Sequence, residues 1–386
     1  MEREFRPVSA LFAAQSRRSF LAKTIAGAAT VAGVASLGMP EFAFAASGLP
    51  VLGHDISTLQ QEESIGKTFS DGGTVVPLEK ILANRGTTYI RERLWVNPPI
   101  AFNNLSHVLA MATRIKAAGL KLLLDFHYSD FWADPGTQTT PSAWQGQSLS
   151  TLSTTLYNYT YSVISSLVAQ GTPPAMVQTG NEVTDGMLWP TGQIYVGSTQ
   201  NWTSFATLMK SAISAVRAAS PSTRVMIHID RGGDNGGAEY FYDHILAQGV
   251  SFDVIGLSYY PWWHGPLANL QTNLNALSPR YGKDIVVVET AYPWTLANGD
   301  STTNDVTTSS QLLSGYPASA AGQLAYIKEV ISIIKATPNG HGLGVVYWEP
   351  AWIPGVGWES GQGDQWDNMT LFNYSGQSLS SIACYQ

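Results

Sequence analysis

Eight short apolar runs, rich in β-branched residues, alternate with amphipathic stretches of helical length, and this alternation constrains the fold more than any other feature. The predicted strands are Val51–Ile56, Thr88–Val96, Lys121–His127, Met176–Glu182, Arg224–Ile229, Asp253–Tyr260, Asp284–Glu289 and Gly342–Trp348. Their near-continuous hydrophobicity suits parallel strands covered on both faces. The predicted helices are Pro77–Asn84, Phe102–Ala118, Leu149–Ala169, Ser204–Ala219, Ala238–Gln248, Pro266–Tyr281 and Ala320–Ala336, several ending in a glycine stop such as Ala118-Gly119, Gln248-Gly249 and Tyr281-Gly282. Eight such units over about 300 residues predict a (β/α)8 TIM barrel in a single domain. An open doubly wound sheet is the alternative, because periodicity alone does not prove closure.

Residues 1–45 read as an address. Ser16-Arg17-Arg18-Ser19-Phe20-Leu21-Ala22-Lys23 has the paired arginines of a twin-arginine signal, the stretch from Thr24 to Met39 is weakly apolar, and Ala43-Phe44-Ala45 offers a cleavage site. The expectation is a signal peptide at 1–45, a folded domain at 46–386, export to the periplasm or the medium, and no membrane attachment once the signal is removed. A net charge of −7 argues against a nucleic-acid partner, whose footprint is basic. One cysteine, Cys384, excludes an intramolecular disulfide and a Cys-rich zinc site.

In such barrels chemistry gathers at the C-terminal ends of the strands. Here those ends carry Arg91-Glu92-Arg93, Asp125-Phe126-His127, Asn181-Glu182, Ser258-Tyr259-Tyr260, Glu289 and Trp348-Glu349. Glu182 and Glu289 each close an apolar run, an environment that raises a carboxyl pKa. The twelve tryptophans fall at predicted strand ends or in the segments that follow, which places them on the face carrying the two glutamates. Pyranose rings offer apolar C–H faces that match indole platforms. Paired carboxylates among tryptophan-rich loops therefore point to a polysaccharide hydrolase.

Four stretches make the chain resemble the arabinogalactan endo-β-1,4-galactanases, glycoside hydrolase family 53 of clan A. They are Arg93-Leu94-Trp95-Val96-Asn97-Pro98; Leu124-Asp125-Phe126-His127-Tyr128-Ser129-Asp130 with the loop running to Trp144; Gly180-Asn181-Glu182-Val183 followed by Gly186-Met187-Leu188-Trp189-Pro190; and Val288-Glu289-Thr290-Ala291-Tyr292-Pro293-Trp294. The resemblance implies retaining cleavage of β-1,4-galactan, with Glu182 as acid/base and Glu289 as nucleophile. It further implies that Arg93 and Tyr260 hydrogen-bond Glu289, that Asn181 binds the sugar 2-hydroxyl, and that His127 supports the acid or the sugar. Trp348 is the expected platform at the cleavage point, with Trp95, Trp189 and Trp294 as further substrate-binding aromatics.

No cofactor is expected to be required. Bacterial members often hold a structural calcium in the loop after the seventh strand; here Asp300, Asn304 and Asp305 could supply ligands, although the family's acidic, His-containing cluster is thinned. A monomer is expected. Another clan A β-1,4-glycanase acting on glucan, mannan or xylan, a metal-dependent hydrolase using Asp125, His127, His228 and Asp230, and a catalytically silent sugar-binding barrel are the alternatives. Asp125 and Glu349 are left outside the catalytic set, and the glycine-rich stretch Arg231–Gly237 is expected to be a flexible surface loop.

Overall fold

The structure, a computed structural model, describes residues 48–359 and 361–386. The expected signal at 1–45 lies outside them. Eight parallel strands close a barrel: β1 (Val51–Asp55), β2 (Tyr89–Leu94), β3 (Lys121–Phe126), β4 (Met176–Thr179), β5 (Arg224–Ile229), β6 (Val254–Ser258), β7 (Asp284–Thr290) and β8 (Gly342–Trp348). Closure is made by β8 against β1, with Val51 beside Gly344 and Asp55 beside Trp348. The open sheet is thereby excluded.

Among the described residues, seven helices of seven residues or more cover the barrel: α1 (Leu78–Asn84), α2 (Leu105–Ala117), α3 (Leu149–Ala169), α4 (Trp202–Ala219), α5 (Asn235–Ala247), α6 (Leu267–Tyr281) and α7 (Ala320–Lys335). Four of their starts are set by capping side chains, which satisfy the free N–H groups of a first turn. Asn104 accepts from His107 N, Ser148 from Thr151 N, Asp234 from Gly237 N and Ser319 from Gly322 N. Asn104 explains why α2 begins three residues after the predicted Phe102, and Asp234 why α5 begins three before Ala238. Where an eighth helix would lie, the C-terminal turn Ser380–Tyr385 folds back, and Tyr385 Oη donates to Gly53 O at 2.7 Å.

Two cores result. An outer one lies between strands and helices. The inner one fills the barrel with Val51, Tyr89, Leu123, Met176, Met226, Val254, Val286, Val288 and Val346. This apolar plug seals the floor, so polar side chains that point inward can emerge only at the C-terminal mouth.

The stretch Arg231–Gly237 is not the flexible surface loop expected. A Cβ on Gly232 would come within 2.4 Å of Ser258 O, and one on Gly233 within 1.9 Å of His264 O. Asn273 Nδ2 also donates to the carbonyls of Arg231 and Gly232. Gly232 and Gly233 are there because neighbouring backbone leaves no room for a side chain.

Candidate active site

Above the inner apolar core sits a polar layer in which Arg91, 1% exposed, is the hub. Its guanidinium reaches Asp55 Oδ2 at 2.7 Å, Asp125 Oδ2 at 2.9 Å and Glu289 Oε1 at 2.8 Å, and it donates to Gln178 Oε1 at 2.6 Å and Asn181 Oδ1 at 2.9 Å. The registry explains this meeting: Arg91 lies beside Asp55 on β1, while Asp125 lies beside Gln178 on β4. Five donors in a rigid fork suit one cation to several acceptors at once.

Two backbone irregularities deliver the glutamates. β4 stops at Thr179, earlier than the predicted Glu182, and Gly180 (φ 104°) then Glu182 (φ 43°) turn into left-handed conformations. A non-glycine residue held there costs on the order of 1–3 kcal/mol and is a mark of functional placement. On β7 the registry slips: Leu257 opposes Val287, but Ser258 opposes Glu289. Val288 still belongs to the inner core. A bulge of this kind re-aims the next side chain, so Glu289 also faces the barrel mouth.

Single donor or acceptor atoms of Glu182, His228 and Glu289 all lie within 4.8 Å of one another. The two carboxyls have different partners. Glu289 receives Arg91 on Oε1 and Tyr260 Oη on Oε2 at 3.1 Å. Glu182 receives Ser258 Oγ on Oε1 at 2.6 Å, and the same hydroxyl lies 3.4 Å from Glu289 Oε2. Burial pushes Glu289 up, the Arg91 charge pulls it down, and the balance stands at about 7. Burial, Glu289, Asp230 and Asp134 hold Glu182 well above the ordinary carboxyl range. The more cationic environment keeps Glu289 the more readily ionised of the pair.

Tyr260 stands where the sequence places it, on Glu289. Arg93 does not: its Nη1 pairs with Glu349 Oε1 at 2.8 Å, and its guanidinium lies 4.3 Å over the Trp132 ring. Arg91 takes the place against Glu289 because it lies one inward step deeper on β2, level with the carboxylates that share it. Asp125 and Glu349, left aside at the sequence level, are fully buried anchors for Arg91 and Arg93. Asn181 gives Oδ1 to Arg91 and donates from Nδ2 to Ala133 O. His127 pairs through Nε2 with Asp125 and accepts at Nδ1 from Ala133 N and Trp95 Nε1, so its ring nitrogens hold the third loop in place.

Both glutamates open into a cleft of about 1110 Å³. Its indole walls are Trp132, Trp263, Trp348, Trp358 and Trp366. Trp348 meets Trp366 edge-on at 4.7 Å and stacks with Trp358 at 5.8 Å. Of the four tryptophans expected to touch substrate, only Trp348 lines this cleft. Trp95 is buried against Phe131 and Trp132, Trp189 donates to Asp185 O, and Trp294 packs on Tyr374. Nor do all twelve gather there: Trp202 opens α4 and stacks on His244 of α5. Sequence reasoning passed over Arg91, Gln178 and Ser258 as site residues and weighed His228 only as a ligand in the metal-dependent alternative; strand parity was the signal for two of them, since Ser258 is two residues before Tyr260 and Arg91 two before Arg93.

The three residues expected to hold calcium have different contacts in the structure. Asp305 lines the cleft. Asp300 binds Thr302 N and Asp364 N, while Asn304 Nδ2 donates to Asp367 Oδ1, which ties the loop after β7 to the loop after β8. Asn304 Oδ1 and Asp364 Oδ2 are buried without a hydrogen-bond partner. Oxygen atoms of this kind suit a hard cation, and Asp300, Asn304, Asp364 and Asp367 are the side chains there that could hold one.

A closed (β/α)8 barrel with two buried glutamates at its mouth, one gripped by arginine and tyrosine, beneath an indole-lined cleft, defines a glycoside hydrolase. Residues 51–385 match the family model for Glycosyl hydrolase family 53, and the chain belongs to that family. It is 45% identical over 338 residues to an uncharacterized protein in the bgaB 5′ region of Niallia circulans, covering 86% of this chain and 92% of that one. It is 38% identical over 344 residues to the arabinogalactan endo-β-1,4-galactanase of Thermothelomyces thermophilus, covering 86% and 98%. Among solved structures, the Ignisphaera aggregans GH53 catalytic domain superposes with a TM-score of 0.84 at 35% identity, covering 90% of this chain and 98% of that one.

Proposed function

We propose that the chain is an endo-acting galactanase that cleaves β-1,4-galactosidic bonds in galactan and type I arabinogalactan by double displacement with retention. The observation that carries the mechanism is the unequal treatment of two adjacent carboxyls. Glu289, held by Arg91 and Tyr260, attacks the anomeric carbon and forms the galactosyl ester. Glu182, protonated because burial and neighbouring acids disfavour its charge, donates its proton to the departing oxygen and afterwards accepts one from water. Retaining enzymes hold their two carboxyls roughly 5–5.5 Å apart, closer than an inverting enzyme with its intervening water, and an oxygen of Glu182 lies within 4.8 Å of one of Glu289. The galactan specificity is supported by the family and by the galactanase relatives.

Proton NMR of galactan digestion is the test. The expected first product is the β-anomer, mutarotating slowly to α, with release of oligosaccharides rather than galactose alone. An α-anomer as first product, or faster cleavage of glucan, mannan or xylan than of galactan, would overturn the assignment. The pH profile of kcat/KM follows from the same pair. Activity rises as Glu289 ionises and falls as Glu182 loses its proton. Since both groups titrate high, the acid limb is expected above about pH 5, beyond an ordinary glutamate. A bell with both limbs below that value would contradict the electrostatics.

Calcium belongs to the proposal as a structural ion held by Asp300, Asn304, Asp364 and Asp367. When bound it supplies positive charge between two loops. A chelator is expected to lower the unfolding temperature and added calcium to restore it; an unchanged melting curve would remove calcium from the account. Export is proposed through Arg17-Arg18 and the Ala43-Phe44-Ala45 site, to the periplasm or the medium. Action as a monomer is part of the proposal, and the mass of the purified protein in solution tests it.

A further inference from the structure

We propose that Ser258 serves both glutamates in turn, as the last link of a buried hydrogen-bond chain that starts on Arg91. The inference rests on the retaining glycosidase assignment and adds a positioning residue to it. Arg91 Nε–H needs an acceptor, which fixes Gln178 with Oε1 toward the arginine at 2.6 Å. The Gln178 amide nitrogen then faces His228 Nδ1 at 2.9 Å, and Glu182 N–H points at the same atom at 3.4 Å. Asn181 Oδ1 also lies 3.1 Å from Nδ1, but that oxygen already accepts from Arg91, and a proton on Nδ1 would oppose the Gln178 and Glu182 donors; Nδ1 is therefore the acceptor, and the ring proton sits on Nε2 and is given to Ser258 Oγ at 2.8 Å. Ser258 Oγ is thereby occupied as an acceptor, and its one proton is left for a carboxylate.

Two carboxylate oxygens are within its reach, Glu182 Oε1 at 2.6 Å and Glu289 Oε2 at 3.4 Å. Rotation about the Cβ–Oγ bond moves the proton between them without moving a heavy atom far. Before attack Glu289 carries the charge and Glu182 its proton, and the hydroxyl turns to Glu289 beside the Tyr260 hydroxyl. After attack Glu289 is a neutral ester and Glu182 is ionised, and the hydroxyl turns to Glu182. No proton leaves the serine in either state. Each charged carboxylate in turn keeps the serine as a donor in a site closed to most water, where an unmet charge is costly.

The groups facing Glu182 are Glu289 on β7, His228 and Asp230 on and after β5, Asp134 after β3, and Tyr260 after β6. All the carboxylates among them disfavour its ionised form, and Ser258 is the side chain that favours it. Removing the hydroxyl therefore raises the Glu182 pKa.

The experiment uses Ser258→Ala, Ser258→Cys and Ser258→Thr with galactan and with an aryl β-galactobioside bearing a leaving group that needs no proton. Ser258→Ala is expected to move the basic limb of kcat/KM on galactan up by about one pH unit. On the activated glycoside, with the first step spared, its kcat is expected to fall about tenfold with a pre-steady-state burst, because Glu182 must be ionised to accept a proton from water. Ser258→Thr, which keeps the hydroxyl, should restore both. Ser258→Cys keeps the size of serine with a weak donor, and is expected to move in the same direction if the alanine variant does not fold. A basic limb in both the Ala and Cys variants within about 0.2 pH units of wild type, with no burst, overturns the relay while leaving the galactanase assignment intact. Failure of the wild type to cleave either substrate overturns that assignment and the relay with it.

Discussion

Glu182→Ala and Glu289→Ala are expected to lose galactan hydrolysis by different amounts and to be rescued by azide with opposite stereochemistry. Loss of a general acid costs about 10²–10⁴-fold when the leaving group is a sugar hydroxyl. With an activated aryl leaving group the first step needs no proton, so Glu182→Ala should form its glycosyl ester readily and stall there. Azide, needing no base, should then release a β-galactosyl azide. Glu289→Ala removes the nucleophile, with a loss on the order of 10⁵-fold on every substrate. Azide entering the vacated face should give the α-galactosyl product. The assignment of roles rests on the partners of each carboxyl. Arg91 and Tyr260 both donate to Glu289, whereas Glu182 has one hydroxyl and faces Asp230 and Asp134. Reversed azide stereochemistry would exchange the roles of the two residues. Equal loss for both variants on the activated substrate would remove the distinction between them.

The barrel was legible because most strands are near-continuous apolar runs and the helices between them carry start or stop signals. Leu149–Ala169 is the same in sequence and structure, with Ser148 as its cap. Glu182 and Glu289 were legible as the last polar residues of such runs, although neither faces inward by simple alternation. A left-handed turn aims one and a registry slip aims the other, and both features depend on neighbouring strands that no local pattern records. The tryptophans were read by position along the chain. Whether an indole lines the cleft or fills the base of a loop depends on how the long loops after β3 and β8 fold over each other. Trp132 and Trp358 meet at 4.7 Å although they are far apart in sequence. The glycine-rich segment was misjudged because close packing by backbone and solvent-exposed flexibility both select glycine.

Arg91→Met and Arg93→Met should separate what the sequence could not, since both arginines occupy inward positions of one strand and differ only in depth. Arg91 compensates Asp55, Asp125 and Glu289, none of them more than 7% exposed. Removing it strands three buried carboxylates, with an expected loss of about 3–5 kcal/mol in stability. The Glu289 pKa should also rise, so kcat/KM should fall about 10³-fold and its acid limb should move to higher pH. Arg91→Lys is expected to rescue little, because an ammonium cannot reproduce a fork shared among so many acceptors. Arg93 meets one carboxylate, Glu349, and supports the underside of Trp132 in the cleft wall. Glu349 already sits at about 7, raised chiefly by burial, and can accept a proton when its partner is lost. Arg93→Met is therefore expected to raise KM for long galacto-oligosaccharides through a displaced Trp132, with kcat held within about tenfold of wild type and the acid limb unmoved. Steady-state kinetics across pH, with chemical denaturation for stability, decides between them. If Arg93→Met shifts the acid limb and Arg91→Met does not, Arg93 is the residue that sets the charge of the nucleophile, and the hub drawn around Arg91 is wrong.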